Sequence, residues 1–223
     1  MRQLLNVCGI ATAAIALAAW PQESAPAQES APAAATGPAS TVKAERPEVK
    51  VGDQWKFACA GGISPDRLWV VTSVDQTGIK GTENGQPLAL NSDMNELESP
   101  RGKDTDSGQL RFPLEVGKQW NYTDQWVNYN TPLGTSSGPS KGSVTVVGYE
   151  KVRVRAGEFD AFKLAMRASW GPDVFGYSGT ADKTYWYAPA ARVIVKYHSE
   201  SAMELGGVFQ ERACELVEFQ LQP

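Results

Sequence analysis

A single histidine and three cysteines are the whole stock of soft metal ligands and ready nucleophiles in this 223-residue chain. His198 has no second histidine with which to build a histidine-rich metal site or to support a Ser-His-Asp arrangement. It follows Tyr197 on the charged side of an expected strand and reads as a surface residue. Cys59 and Cys214 stand near the two ends of the folded part. In an oxidising compartment such a pair is expected to close into a disulfide, which removes both thiols from nucleophilic chemistry. Carboxylate pairs such as Glu158 with Asp160, or Glu211 with Glu215, could act as acid and base if they faced one cleft. Close to turns, carboxylates are ordinarily solvating groups. Asp104-Thr105-Asp106-Ser107-Gly108 opens like a calcium loop, with Glu115 at the twelfth position. The apolar Leu110, Phe112 and Leu114 with Pro113 fill its middle and look instead like entry into a strand. No metal or cofactor is expected from these residues.

The aromatic residues carry more information. Trp55, Trp69, Trp120, Trp126, Trp170 and Trp186 fall in one folded region, with Tyr185 and Tyr187 flanking the last. Their ordinary role is core packing, because each buries a large area and needs one partner for its N–H or O–H. Trp120 and Trp186 are assigned to the core on that ground. The alternative role is an aromatic wall with sparse polar groups, the way sites for an acyl chain, a sugar face or an extended peptide are built. Trp126, Trp170, Tyr185 and Tyr187 are the candidate ligand-binding residues.

The elements that must position these residues begin after an export leader. Arg2 precedes an uncharged run from Leu4 to Ala19 that breaks at Trp20-Pro21, and Ala25-Pro26-Ala27 fits a small-x-small cleavage rule, so residues 1–27 read as a Sec-type signal peptide. The run is too interrupted for a membrane anchor, which needs about 20 apolar residues. The mature chain is expected in the periplasm or secreted, with no transmembrane segment. Residues 28–45 form an Ala/Pro-rich linker with nothing to bury against the entropy of ordering it. Residues 46–223 form a β-rich domain. The formal net charge of −4 leaves no basic footprint, which argues against nucleic acid as a partner.

Within the domain, Val51-Gly52-Asp53-Gln54-Trp55 recurs as Val116-Gly117-Lys118-Gln119-Trp120, each copy a glycine turn delivering a tryptophan into a strand. The repeat suggests two related β modules, 46–110 and 111–223. Strand signals dominate elsewhere. Lys151 to Arg155 alternates charge with valine, and Phe162, Leu164, Met166, Ala168 and Trp170 share one face. Leu90 to Leu97 is at most a helical turn, and the Gly/Ser-rich stretch from Thr131 to Gly142 is a loop by composition. The fold class is all-β: a curved antiparallel sheet forming an open or half barrel.

Three stretches taken in order, Phe112-Pro113-Leu114-Glu115-Val116-Gly117-Lys118-Gln119-Trp120, then Ala156-Gly157-Glu158-Phe159-Asp160-Ala161-Phe162, then Tyr185-Trp186-Tyr187-Ala188-Pro189, resemble a group of exported bacterial domains of unknown function. Such domains are similar in outline to the half-open barrels of periplasmic lipoprotein carriers. The resemblance implies a concave face able to hold an acyl chain, and it supplies no catalytic residues. The expected function is non-enzymatic binding of a lipid, glycan or peptide in the cell envelope. The alternatives are a carboxylate-dependent hydrolase, or a structural subunit with an envelope protein as partner.

Overall fold

Period-two alternation in the sequence becomes alternation in burial. The computed structural model describes residues 42–60, 66–204 and 210–223. The expected signal peptide, 1–27, and residues 28–41 of the expected linker lie outside the described residues. Phe162, Leu164 and Met166 are buried, while Ala165 and Arg167 between and beyond them face solvent. Fourteen strands result: β1 (Lys43–Ala44), β2 (Gln54–Ala60), β3 (Arg67–Asp75), β4 (Gly78–Glu83), β5 (Gln86–Leu90), β6 (Glu96–Ser99), β7 (Gly102–Asp104), β8 (Leu114–Glu115), β9 (Gln119–Thr131), β10 (Gly134–Val154), β11 (Gly157–Trp170), β12 (Gly179–Ala188), β13 (Val193–Met203) and β14 (Gln210–Gln220). Among the described residues the only helical element is a 3₁₀ turn at Pro189–Ala191, so none is long and apolar enough to cross a membrane.

Twelve of these strands, all antiparallel, form one barrel in the order β10-β11-β12-β13-β14-β2-β3-β4-β5-β6-β7-β9, and β9 returns to β10. The curled sheet expected from sequence is present, and it closes completely where an open or half barrel was expected. Closure comes from β14 pairing with β2, the one join between strands distant in sequence. Cys214 lies opposite Cys59 in that register, and the two form a disulfide with Cα atoms 4.1 Å apart. The two halves that the repeat suggested, 46–110 and 111–223, both contribute strands to this barrel. β1 and β8 form a separate two-stranded sheet, so Lys43 and Ala44 are paired although composition placed them in the linker.

The repeat itself is a shared local geometry. Gly52 and Gly117 both adopt left-handed backbone, at φ +93° and +90°. The Gly52 N–H donates to the Val71 carbonyl and the Gly117 N–H to that of Val146. The Val71 and Val146 N–H groups return bonds to the carbonyls of Asp53 and Lys118. Each turn launches a strand whose buried tryptophan donates to a backbone carbonyl: Trp55 Nε1 to Ala191 at 2.7 Å, Trp120 Nε1 to Gly108 at 2.8 Å.

Two local readings are corrected. The Gly/Ser-rich stretch to Gly142 is the first part of β10, paired to β9 and β11. Glycine there serves close approach, because a Cβ on Gly142 would sit 2.3 Å from the Arg167 carbonyl oxygen and 2.7 Å from the Tyr122 ring. Leu90 to Leu97 is a tight turn between β5 and β6, with Met94 at φ +65° and Asn91 Oδ1 accepting from the Asp93 and Asn95 N–H groups.

Candidate functional site

The barrel lumen differs at its two ends. At one end it is filled: Trp55, Val144, Val146, Leu164, Val195 and Leu216 are fully buried. The chain between β7 and β9 seals that end with Leu110 and Leu114, neither of which is exposed. Asn95 fixes this segment as a strand partner would. Its Nδ2 donates to the Leu110 carbonyl and its Oδ1 accepts from the Leu110 N–H, both at 2.8 Å.

Toward the other end, inward positions become charged. Arg67 reaches Glu83 at 2.8 Å and Glu96 at 2.6 Å, and Arg101 bonds the same two carboxylates, Glu96 at 2.8 Å. Trp69 Nε1 adds a 2.8 Å bond to Glu83. The result is a balanced network of two cations and two anions. Burial alone would raise the Glu96 pKa, but Arg67 and Arg101 hold the carboxyl down to about 2.

Further round the wall stand Asp104, Asp124, Lys183 and Arg212. Asp124 Oδ1 accepts from the Thr105 N–H at 2.7 Å, the Thr105 hydroxyl at 2.9 Å and the Asp106 N–H at 3.0 Å. Burial, then the charge of Asp124 and a hydrogen bond to it, push Asp104 up to about 8. Asp104 is therefore the protonated partner near neutral pH. Burial pulls the Lys183 pKa down against the opposing pull of Asp104, and Arg212 lowers it further. The Lys183 and Arg212 side chains make no ion pair or hydrogen bond with a described residue, and Arg212 Nε is buried without an acceptor.

The lumen around these groups is not filled. A recess of about 200 Å³ runs between Phe57, Trp69, Tyr185 and Tyr197. A second of about 490 Å³ opens beside Arg101, Trp126 and Asn128, and a third of about 200 Å³ lies between Tyr122, Trp126 and Trp170. Asp104 and Lys183 line all three, so the recesses belong to one space.

Of the residues singled out by sequence, Trp126 and Trp170 meet edge to face, centroids 6.2 Å apart, at this space. Tyr185 lines the first recess and its hydroxyl donates to Met166 Sδ at 3.7 Å. Tyr187 lies elsewhere. It is 1% exposed at the filled end, its ring 5.1 Å from that of Phe112, and it borders none of the three recesses. Cys214 borders the first recess. Trp186, assigned to the core, points outward instead. It is flanked by Lys163 and Lys196 at 5.4 Å each and bonded to Glu150 at 2.8 Å, because the odd-numbered residues of β12 face the lumen.

The carboxylate pairs suggested by sequence do not converge in a cleft. Asp160 pairs with Lys151 at 3.1 Å and Glu158 with Arg153 at 3.3 Å across the outer face of β10 and β11. Glu215 pairs with Arg155 at 2.7 Å, and Glu211 lies 3.0 Å from His198 Nε2. In the Asp104 to Glu115 segment, Asp104 faces the lumen while Asp106 pairs with Arg111 at 2.8 Å. No group of three His, Cys, Asp or Glu among the described residues could hold a metal ion. Sequence reasoning missed the Asp104–Asp124 pair and the cations Lys183 and Arg212. A signal existed for the cations: Lys183 shares the parity of Tyr185, and Arg212 that of Cys214.

No family model matches the chain, and no curated protein matches it. Among solved structures, the hypothetical lipoprotein YmcC of Escherichia coli K12 is similar at a TM-score of 0.48 and 12% identity, over 74% of this chain and 84% of that one. A Bacteroides fragilis protein described as exported, with a YmcC-like fold, is similar at 0.40 and 13% identity, over 79% of this chain and 99% of its own. A Parabacteroides distasonis protein described as a lipoprotein is similar at 0.41 and 12% identity, over 79% and 99%.

Proposed function

We propose that this protein is an exported, non-enzymatic binding protein of the bacterial envelope, taking an apolar or extended ligand into the barrel lumen. The observation that carries the reading is the unfilled space bordered by Trp126, Trp170, Tyr185 and Tyr197. A core is ordinarily packed to crystal-like density, so aromatic walls left apart are the mark of a site. The apolar leader supports export, and the ion-paired outer face of β10, β11 and β12 suits a water-facing barrel, since a membrane barrel presents an apolar band outward. The test is native mass spectrometry of the mature protein purified from the periplasm without reductant. A co-purifying lipid, glycan or peptide mass supports the reading. A clean apoprotein with no thermal shift against all three ligand classes removes it.

The Asp104–Asp124 pair favours a second reading, a carboxylate-dependent hydrolase, because two carboxyl groups border one recess and burial beside Asp124 pushes Asp104 up to about 8. Against it, Asp124 Oδ1 is already held by three donors from Thr105 and Asp106, which ties this carboxylate to the wall of the barrel. Turnover of nitrophenyl esters or glycosides that vanishes in Asp104→Asn would establish the enzyme. Absence of turnover in the wild-type protein would leave the pair a structural clamp.

A further inference from the structure

We infer that the ligand is an amphipathic anion, its carboxylate or phosphate group bound by Lys183 and Arg212 and its apolar body lying against Trp126, Trp170 and Tyr185. This deepens the binding reading above and rests on it. The argument is one of charge. Arg67 and Arg101 are matched by Glu83 and Glu96. Asp124 Oδ1 is held by amide and hydroxyl donors, and burial beside Asp124 disfavours the charged form of Asp104. Lys183 and Arg212 border this space in no ion pair among the described residues, and Arg212 Nε is buried without an acceptor. The undescribed spans 61–65 and 205–209 contain no Asp or Glu, so they supply no carboxylate.

Four cations and four carboxylates border this space, and Lys183 and Arg212 are the cations that no described carboxylate pairs. The two cations are half-buried, and an anion that enters between them pairs with both and gives the orphaned Arg212 Nε an acceptor. Arginine offers a planar fork to a carboxylate or phosphate, and lysine a point charge beside it. The aromatic recesses that radiate from Lys183 give such an anion somewhere to lay a hydrocarbon body.

The experiment is titration calorimetry of the full mature, disulfide-intact protein with decanoate, decyl phosphate and decanol, at low and high salt. Both anions should bind about tenfold or more tightly than the alcohol, as expected for charge-assisted bonds in a recess, with the preference shrinking as salt rises. The preference should fall in Lys183→Met and in Arg212→Met and persist in Lys183→Arg, each variant melting as a folded protein. Whichever of the two anions binds more tightly identifies the headgroup chemistry. Equal binding of decanol and decanoate by the wild-type protein overturns this inference while leaving the lumen a binding site. A preference for anions that survives loss of both cations overturns the assignment to Lys183 and Arg212. No binding by any of the three overturns both the inference and the apolar-ligand reading.

Discussion

Trp55 and Arg67 face the same lumen from neighbouring strands under opposite conditions. Trp55 is fully buried among hydrocarbon and needs one polar contact, the bond from its indole to the Ala191 carbonyl. Arg67 is 13% exposed, and what makes its burial tolerable is the pair of carboxylates of Glu83 and Glu96. The filled end is held by burial, which depends little on pH or salt. The charged end is stable only while its network is complete, because each missing member leaves a buried charge behind. The difference shows how one barrel can hold a rigid base and an unfilled interior together: hydrocarbon closes space, whereas matched charges line it.

The comparison can be broken most severely at the filled end. Trp55→Ala should cost about 3–5 kcal/mol in denaturant unfolding, equally at pH 5 and pH 8, because it opens a cavity and orphans the Ala191 carbonyl. At the charged end, Glu83→Ala should cost about 3 kcal/mol, since it strands Arg67, Arg101 and the Trp69 N–H at once. Its thermal unfolding should show whether space or charge was lost, because added salt should recover part of the Glu83→Ala deficit and none of the Trp55→Ala deficit. Replacing Cys59 and Cys214 by serine should lower stability by about 2–4 kcal/mol by unpinning the β14–β2 seam, measurable in denaturant unfolding against the disulfide-intact wild-type protein.

Titration sharpens the contrast further. Glu96 has a folded pKa of about 2 against an ordinary 4.5, so its contribution is present above about pH 4.5 and is lost as pH falls toward 2, up to about 3 kcal/mol. Asp104 has the opposite sign. With a folded pKa of about 8 against an ordinary 3.8, its neutral form stabilises the fold at low pH, and that contribution drains away as pH rises from about 4 to 8. Asp104→Asn should therefore flatten the decline in melting temperature over that range, leaving the variant above the wild type at pH 8. The smallest effect belongs to Trp186→Ala. On the outer face it should cost about 1 kcal/mol, because the half-buried ring loses its contacts with Lys163, Lys196 and Glu150 and a margin of packing against the core.

The strand pattern, the disulfide partners and the two glycine turns were legible in residue types alone. Alternation, oxidising context and left-handed backbone are local or compositional matters. Three of the four aromatic candidates, Trp126, Trp170 and Tyr185, border the interior space, while Tyr187 belongs to the packed end. Both Tyr185 and Tyr187 sit at inward parity on β12, and nothing local says how far along the lumen the filling stops. That limit is drawn by Leu110 and Leu114, which reach the lumen only because Asn95 holds their segment from a distant turn.

By itself the sequence determined an all-β domain, with Cys59 and Cys214 able to join its first long strand to its last. Tertiary structure decided that the sheet closes and that Tyr185, not Trp186, faces inward. It also decided that Asp104, Asp124, Lys183 and Arg212, spread over more than a hundred residues of chain, meet in one space. The physical reason is that period-two alternation specifies two faces without saying which is inside. Only barrel closure, set by the β14–β2 register and the close approaches that glycines such as Gly142 permit, turns one face into a lumen and brings its charges together.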